Sequence, residues 1–235
     1  MNYFSHYFLD KDRTDSLFFV GVMTPDLIST FNRSRRLKAG RLPIVIEHEA
    51  TEEQLSFYNG VLRHFEVDDV FHNSDFFHRE TRLITHTLKE GFGKEHIPRA
   101  FFISHILFEL MLDRILIKQH SSLLYAFYRH FQEKDIQLLV QLTEWVACQP
   151  LPGYDHFLKR FGEVRFLYRY ADWDFILEVM RMVMDKVNIS RLDFLFSDKF
   201  LVLMQKYEEG LRRRLPRALN QLASELSNKV SYSAE

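Results

Sequence analysis

The sequence predicts an all-α protein, and three observations predict it. Apolar residues recur at helical spacing along most of the chain, as in FILEVMRMVM at 175–184. Alternating strand patterns are scarce. Capping residues such as Thr51 and Ser74 open periodic stretches, and breaks such as the glycines of 91–93 and CQPLPG at 148–153 separate them. The 23 phenylalanines among 235 residues point to a thick aromatic core, and a 46% hydrophobic, 27% charged balance is that of an ordinary folded globular chain. We read residues 1–226 as a single compact helical domain and the polar end, 227–235, as a frayed tail.

In order, residues 1–29 carry His6 near the start and then an apolar run, DSLFFVGVMTPD, at 15–26. Pro25 disrupts a helix interior, so the helix is expected to end there with Asp26 at its end or in a turn. Residues 32–50 form a long irregular connection, the basic NRSRRLKAGR followed by LPIVIEHEA, with a short extended piece expected at 44–46. Thr51 opens a helix with a capping box, TEEQ. Ser74 caps the next, at 75–90, which stops at the glycines of 91–93, and Pro98 suits the first turn of the one after. Further helices are expected from Ser121 or Ser122 to 131 and over 134–148. CQPLPG at 148–153 breaks the pattern but is too short to link separate bodies. Three more helices follow at 154–168, 172–187 and 197–226, the last kinked at Pro216.

Two of these helices carry chemistry. In 60–77, GVLRHFEVDDVFHNSDFF, the residues His64, Asp68 and His72 are spaced i, i+4, i+8, and in 101–114, FFISHILFELMLDR, His105, Glu109 and Asp113 repeat the spacing. Residues four apart share a helix face, so each adjacent pair can grip one cation from one side. The outer members of each line are about 12 Å apart along the axis, so no line binds a single ion by itself. One consecutive pair from each helix is the reachable arrangement. Imidazole with carboxylate favours manganese, iron or zinc over calcium. Six such groups in otherwise apolar helices weigh against the bland alternative of scattered surface pairs, because an unpaired buried charge costs several kcal/mol.

Composition excludes other classes. A formal net charge of −1 gives no overall field for nucleic acid or anionic membrane. The local basic runs at 33–38 and 212–217 read first as solvated surface, and the 33–41 stretch also suits an acidic protein partner. Cys148 is the only cysteine, which rules out an internal disulfide and a thiolate zinc site within one chain. The apolar run at 100–117 holds His105, Glu109, Asp113 and Arg114, so a membrane span is not expected. The opening MNYFSHYFLDKDR has no basic stretch leading into an apolar one, and a cytoplasmic location is the expectation.

Taken together, MNYFSH at the start, VGVMTPD, GVLRHFEVDDVFH and FLYRYADWDFI resemble the acyl carrier protein phosphodiesterases, or hydrolases. The likeness runs from Met1 to about Pro216. It implies an all-α bundle related to the HD-type metal phosphohydrolases. It also implies a manganese-favouring hydrolysis of the phosphodiester joining 4′-phosphopantetheine to a serine of acyl carrier protein, an acidic helical partner. By the resemblance, His6 and Asp26 match the family's early His and Asp, and His64 and Asp68 its first helical pair. His105 and Glu109 stand where the family has two aspartates, and Arg169 and Asp174 match its late RY and DF positions. The implied metal set is His6, His64, Asp68, His105 and Glu109. Asp26, His72 and Arg169 are then the candidates for orienting water, moving a proton and neutralising phosphate oxygens. The chain departs from the family at Phe65, at Phe71 and His72, and at Leu110. Two alternatives therefore stay open: a metal phosphohydrolase for nucleotides or small phosphoesters, and a carrier-binding protein without turnover.

Overall fold

The computed structural model describes residues 1–132, 134–190 and 192–232. Among them are ten α-helices and no strand, so the protein is all-α. The helices are α1 (Tyr3–Leu9), α2 (Ser16–Phe31), α3 (Glu52–Asn73), α4 (Asp75–Phe92), α5 (Ala100–Gln119), α6 (Leu123–Gln132), α7 (Ile136–Ala147), α8 (Tyr154–Val164), α9 (Trp173–Lys186) and α10 (Asp198–Tyr232). They gather into two compact units, one of Met1–Asp69 with His120–Tyr168, the other of Val70–Gln119 with the chain from Arg169 onward. Among the described residues no helix is long and apolar enough to cross a membrane.

In the first unit, Asp15 caps α2 by accepting the N–H groups of Leu17 and Phe18 at 3.0 and 3.2 Å, and its other oxygen accepts the Ser56 hydroxyl at 2.6 Å. The helix does not stop at Pro25; it runs through it to Phe31, which places Asp26 in the helix interior and corrects the expectation of a helix end. The physical reason is burial. Every residue from Leu17 to Pro25 is buried, and a helix apolar all round is held by packing that outweighs the roughly 3 kcal/mol an interior proline costs. Next to Pro25, the Thr24 hydroxyl is tied to the Val20 carbonyl at 2.7 Å.

The capping box at Thr51 forms as expected, with Gln54 N–H on Thr51 Oγ1 at 3.1 Å and Thr51 N–H on Gln54 Oε1 at 2.9 Å. Helices α2 and α3 then cross at two glycines. A β-carbon at Gly21 would collide with the Phe57 carbonyl, and one at Gly60 with the Phe18 carbonyl. This contact holds the residues of α2 around Val22 against those of α3 around His64. Phe127 of α6 packs edge-on to Tyr7 at 5.5 Å and also meets Phe4 and Phe161, which accounts for part of the phenylalanine excess.

The connection at 32–50 contains 3₁₀ turns at Arg33–Arg35, Ala39–Arg41 and Glu47–Glu49 and no extended pairing at 44–46, where Ile44 is almost fully exposed. The 148–153 break lies inside the first unit, between α7 and α8.

In the second unit Ser74 caps α4 by accepting Phe77 N–H at 3.1 Å, and α4 ends at Gly93, whose φ of 85° lies in the region glycine alone enters freely. Pro98 sits two residues before α5 rather than in its first turn. Helices α4 and α5 form an antiparallel pair bridged by Thr85 Oγ1 and Ser104 Oγ at 2.8 Å. The buried Glu80 of α4 receives Tyr207 at 2.8 Å and Arg214 through two bonds at 2.9 and 2.7 Å, all from α10. Arg114 of α5 meets Glu208 of α10 at 3.1 Å and lies over the Trp173 ring. Beyond Pro216, α10 continues past Leu226 as far as Tyr232, so the first part of the expected tail is helical and 233–235 lie outside the described residues.

Candidate functional site

The predicted ligand residues come together in two groups, one in each unit. In the first unit α1 supplies His6, α2 supplies Asp26 and α3 supplies His64, with ligand atoms all within 4.8 Å of one another. Both imidazoles are buried, and their rings stack at 4.1 Å with 19° between planes. Asp68, one turn beyond His64, faces both rings: Oδ1 is 3.2 Å from His6 Nε2 and Oδ2 is 3.5 Å from His64 Nε2. The Met1 amino nitrogen donates to the same Oδ1 at 2.6 Å.

The tautomer of His64 follows from its partners. Its Nδ1 lies 2.9 Å from the Val22 carbonyl, which can only accept, so Nδ1 carries the proton. Burial, and then the charge of His6, push the His64 pKa well below the usual imidazole range, so the ring is neutral and Nε2 presents a lone pair. That lone pair points toward an Asp68 carboxyl that is itself held far below the usual range. Burial opposes this shift, but the Met1 amino group and His6 outweigh it. A lone pair facing an ionised carboxylate, with the far nitrogen pinned to a backbone carbonyl, is the arrangement of a metal-ligating histidine.

In the second unit α3 supplies His72 and α5 supplies His105 and Glu109. Glu109 Oε1 is 2.9 Å from His72 Nε2 and 3.1 Å from His105 Nε2, and the two nitrogens are 3.2 Å apart. Phe77 stands edge-on to both imidazoles at 4.9 Å, which holds the two rings at their angle. Burial works to raise the Glu109 pKa, but the bonds from His105 and His72 help keep it well below the usual range. The result is a compact triangle of two imidazole nitrogens and one carboxylate oxygen. Donors bound to one ion at about 2.0–2.1 Å sit roughly 2.9–3.4 Å from each other, which these three sides match.

The pairing of His64 with Asp68 and of His105 with Glu109 was legible as i, i+4 spacing. What spacing did not show is the assignment of His72, which joins His105 and Glu109 rather than standing apart as a proton carrier. Asp26 joins His6 and His64. Arg169 belongs to neither group: its guanidinium pairs with Glu178 at 3.5 Å and lies 4.0 Å over the Phe175 ring. Asp113, the third member of the α5 line, is fully buried in α5 and also belongs to neither. The Val22 carbonyl and the Phe77 ring were not foreseen, since a backbone oxygen and a phenylalanine among 23 leave no mark in a sequence. No family model, curated protein or solved structure matches the chain.

Proposed function

We propose that this chain is a divalent-metal-dependent phosphodiesterase that releases 4′-phosphopantetheine from holo-acyl carrier protein. The observation that carries the metal part is the triangle of His72, His105 and Glu109, whose three sides suit one small cation and whose chemistry, two imidazoles and a carboxylate, suits manganese, iron or zinc. The substrate rests on the resemblance of MNYFSH, VGVMTPD and GVLRHFEVDDVFH to the carrier protein hydrolases.

A divalent cation at such a site supplies Lewis acidity, polarising a phosphoryl oxygen and making water a better nucleophile near neutral pH. The remaining work falls to side chains of the protein. Glu109 stays ionised at neutral pH and keeps its negative charge available for a cation. Phe77 limits rotation of His72 and His105. In the first unit, the neutral His64, whose Nε2 lone pair faces the ionised Asp68, and His6 stacked on it form a second group able to hold a cation.

The test is incubation of holo-acyl carrier protein with the purified protein and manganese, followed by mass spectrometry of the carrier. Conversion of holo to apo carrier is expected, with turnover reduced by at least about 100-fold in His105→Ala, because even the loss of an outer partner of a metal ligand costs 10–100-fold. Holo carrier left intact beside rapid cleavage of a generic diester such as bis(p-nitrophenyl) phosphate would move the reading to a small-phosphoester hydrolase.

A further inference from the structure

The irregular segment that follows α2 is fastened at several points along its length. The Asn32 carboxamide accepts the Ser34 N–H at 3.1 Å, the Arg35 guanidinium donates to the Pro150 carbonyl, and Gln149 Nε2 donates to the Arg35 carbonyl at 3.4 Å. Farther along, the Tyr58 hydroxyl donates to the Pro43 carbonyl at 2.9 Å. These bonds lay the segment over the C-terminal end of α7, and the two border a half-open cavity of about 610 Å³. One wall presents Arg33, Arg36, Lys38 and Arg41, and the other is the turn of α7 at 146–149 with Cys148. Among the described residues no carboxylate lines the cavity, and none of the four cations is ion-paired. Glu144, the one acidic residue of α7, is turned away to the Leu151 N–H at 2.6 Å.

Four unneutralised cations around one concavity concentrate positive potential in a chain whose net charge is −1. The cavity falls within the roughly 300–1,000 Å³ of ordinary small-molecule sites. Arginine presents a planar fork that matches phosphate oxygens two at a time. A protein helix, about 10–12 Å across, can only cover the mouth of such a cavity, whereas a small anion enters it. We propose that this cavity binds a small organic polyphosphate, a molecule with two or more adjacent phosphates such as a nucleoside diphosphate. The proposal rests on the cavity alone and is independent of the hydrolase reading.

Cys148, the only cysteine and an exposed one, reports on occupancy. The rate at which its thiol reacts with iodoacetamide would be followed in the full chain in EDTA, so that binding at a cation centre does not contribute, with inorganic pyrophosphate, ADP, AMP and adenosine as probes. Pyrophosphate and ADP are expected to slow alkylation at least tenfold at saturation, AMP less, and adenosine not at all. The protection should weaken at least tenfold in apparent affinity in R36E/K38E, whose substitutions are on exposed side chains. Protection by pyrophosphate alone would assign the site to the inorganic anion and overturn the organic part of the proposal. Unchanged alkylation with both polyphosphates, or protection that persists in R36E/K38E, would overturn it entirely. So would protection by an acidic protein such as acyl carrier protein in place of the polyphosphates.

Discussion

Glu80 shows how one buried charge is made tolerable. Its carboxylate is fully inside the second unit, and burial alone would raise its pKa, yet bonds from Arg214, Tyr207 and Arg79 pull it below the ordinary value. A carboxyl whose folded pKa is depressed adds stability that is present above its unfolded value of about 4.5 and is lost as pH falls through the folded one. Urea midpoints should therefore decline as pH is lowered from about 5 to about 3, and the decline should be shallower in Glu80→Gln. Equal slopes in the two proteins would show that other carboxyls govern the acid limb. The same logic separates this network from the His72, His105 and Glu109 triangle. Glu80 is matched by a guanidinium fork, whereas Glu109 faces two imidazoles that converge on one oxygen.

Among the elements, α2 and α3 carry the clearest constraint. Their crossing at Gly21 and Gly60 leaves no room for a methyl group, because the obstacle in each case is a backbone carbonyl that cannot rotate away. Gly60→Ala should destabilise the protein by about 3 kcal/mol, the upper range for overpacking, where an unobstructed helical Gly→Ala would stabilise it. The denaturant midpoint decides between these, and Gly162→Ala, where a β-carbon meets nothing within 4 Å, is the control. The crossing also matters for the first ligand group, since it is α2 that offers the Val22 carbonyl to His64 of α3. A variant that folds with the crossing loosened should lose the fixed tautomer of His64 before it loses helix content.

For the molecule as a whole, a cation that binds the folded chain and not the unfolded one raises its stability by mass action. At a free concentration of about 100 times Kd the gain is about 2.7 kcal/mol. Thermal melts with manganese or zinc should thus lie above melts in EDTA, and His105→Ala should shrink that gap. An unchanged melting temperature with every divalent ion tried would mean that the two histidine-carboxylate groups are polar packing rather than cation sites.

Much of this was determined by the sequence itself. Helical periodicity, the Thr51 and Ser74 caps and the His64/Asp68 and His105/Glu109 pairs all act within a turn or two of chain, and local rules suffice for them. What failed locally was Pro25, read as a stop because a proline removes a helical hydrogen bond, yet kept inside α2 because the surrounding residues are buried on every side. Which distant residues meet was likewise a tertiary decision. His72 closing a triangle with His105 and Glu109, Val22 setting the His64 tautomer, and the bonds from 149 and 150 that seat a basic segment over α7 all join residues far apart in sequence. Their positions depend on how helices pack, and no spacing along a single helix encodes that.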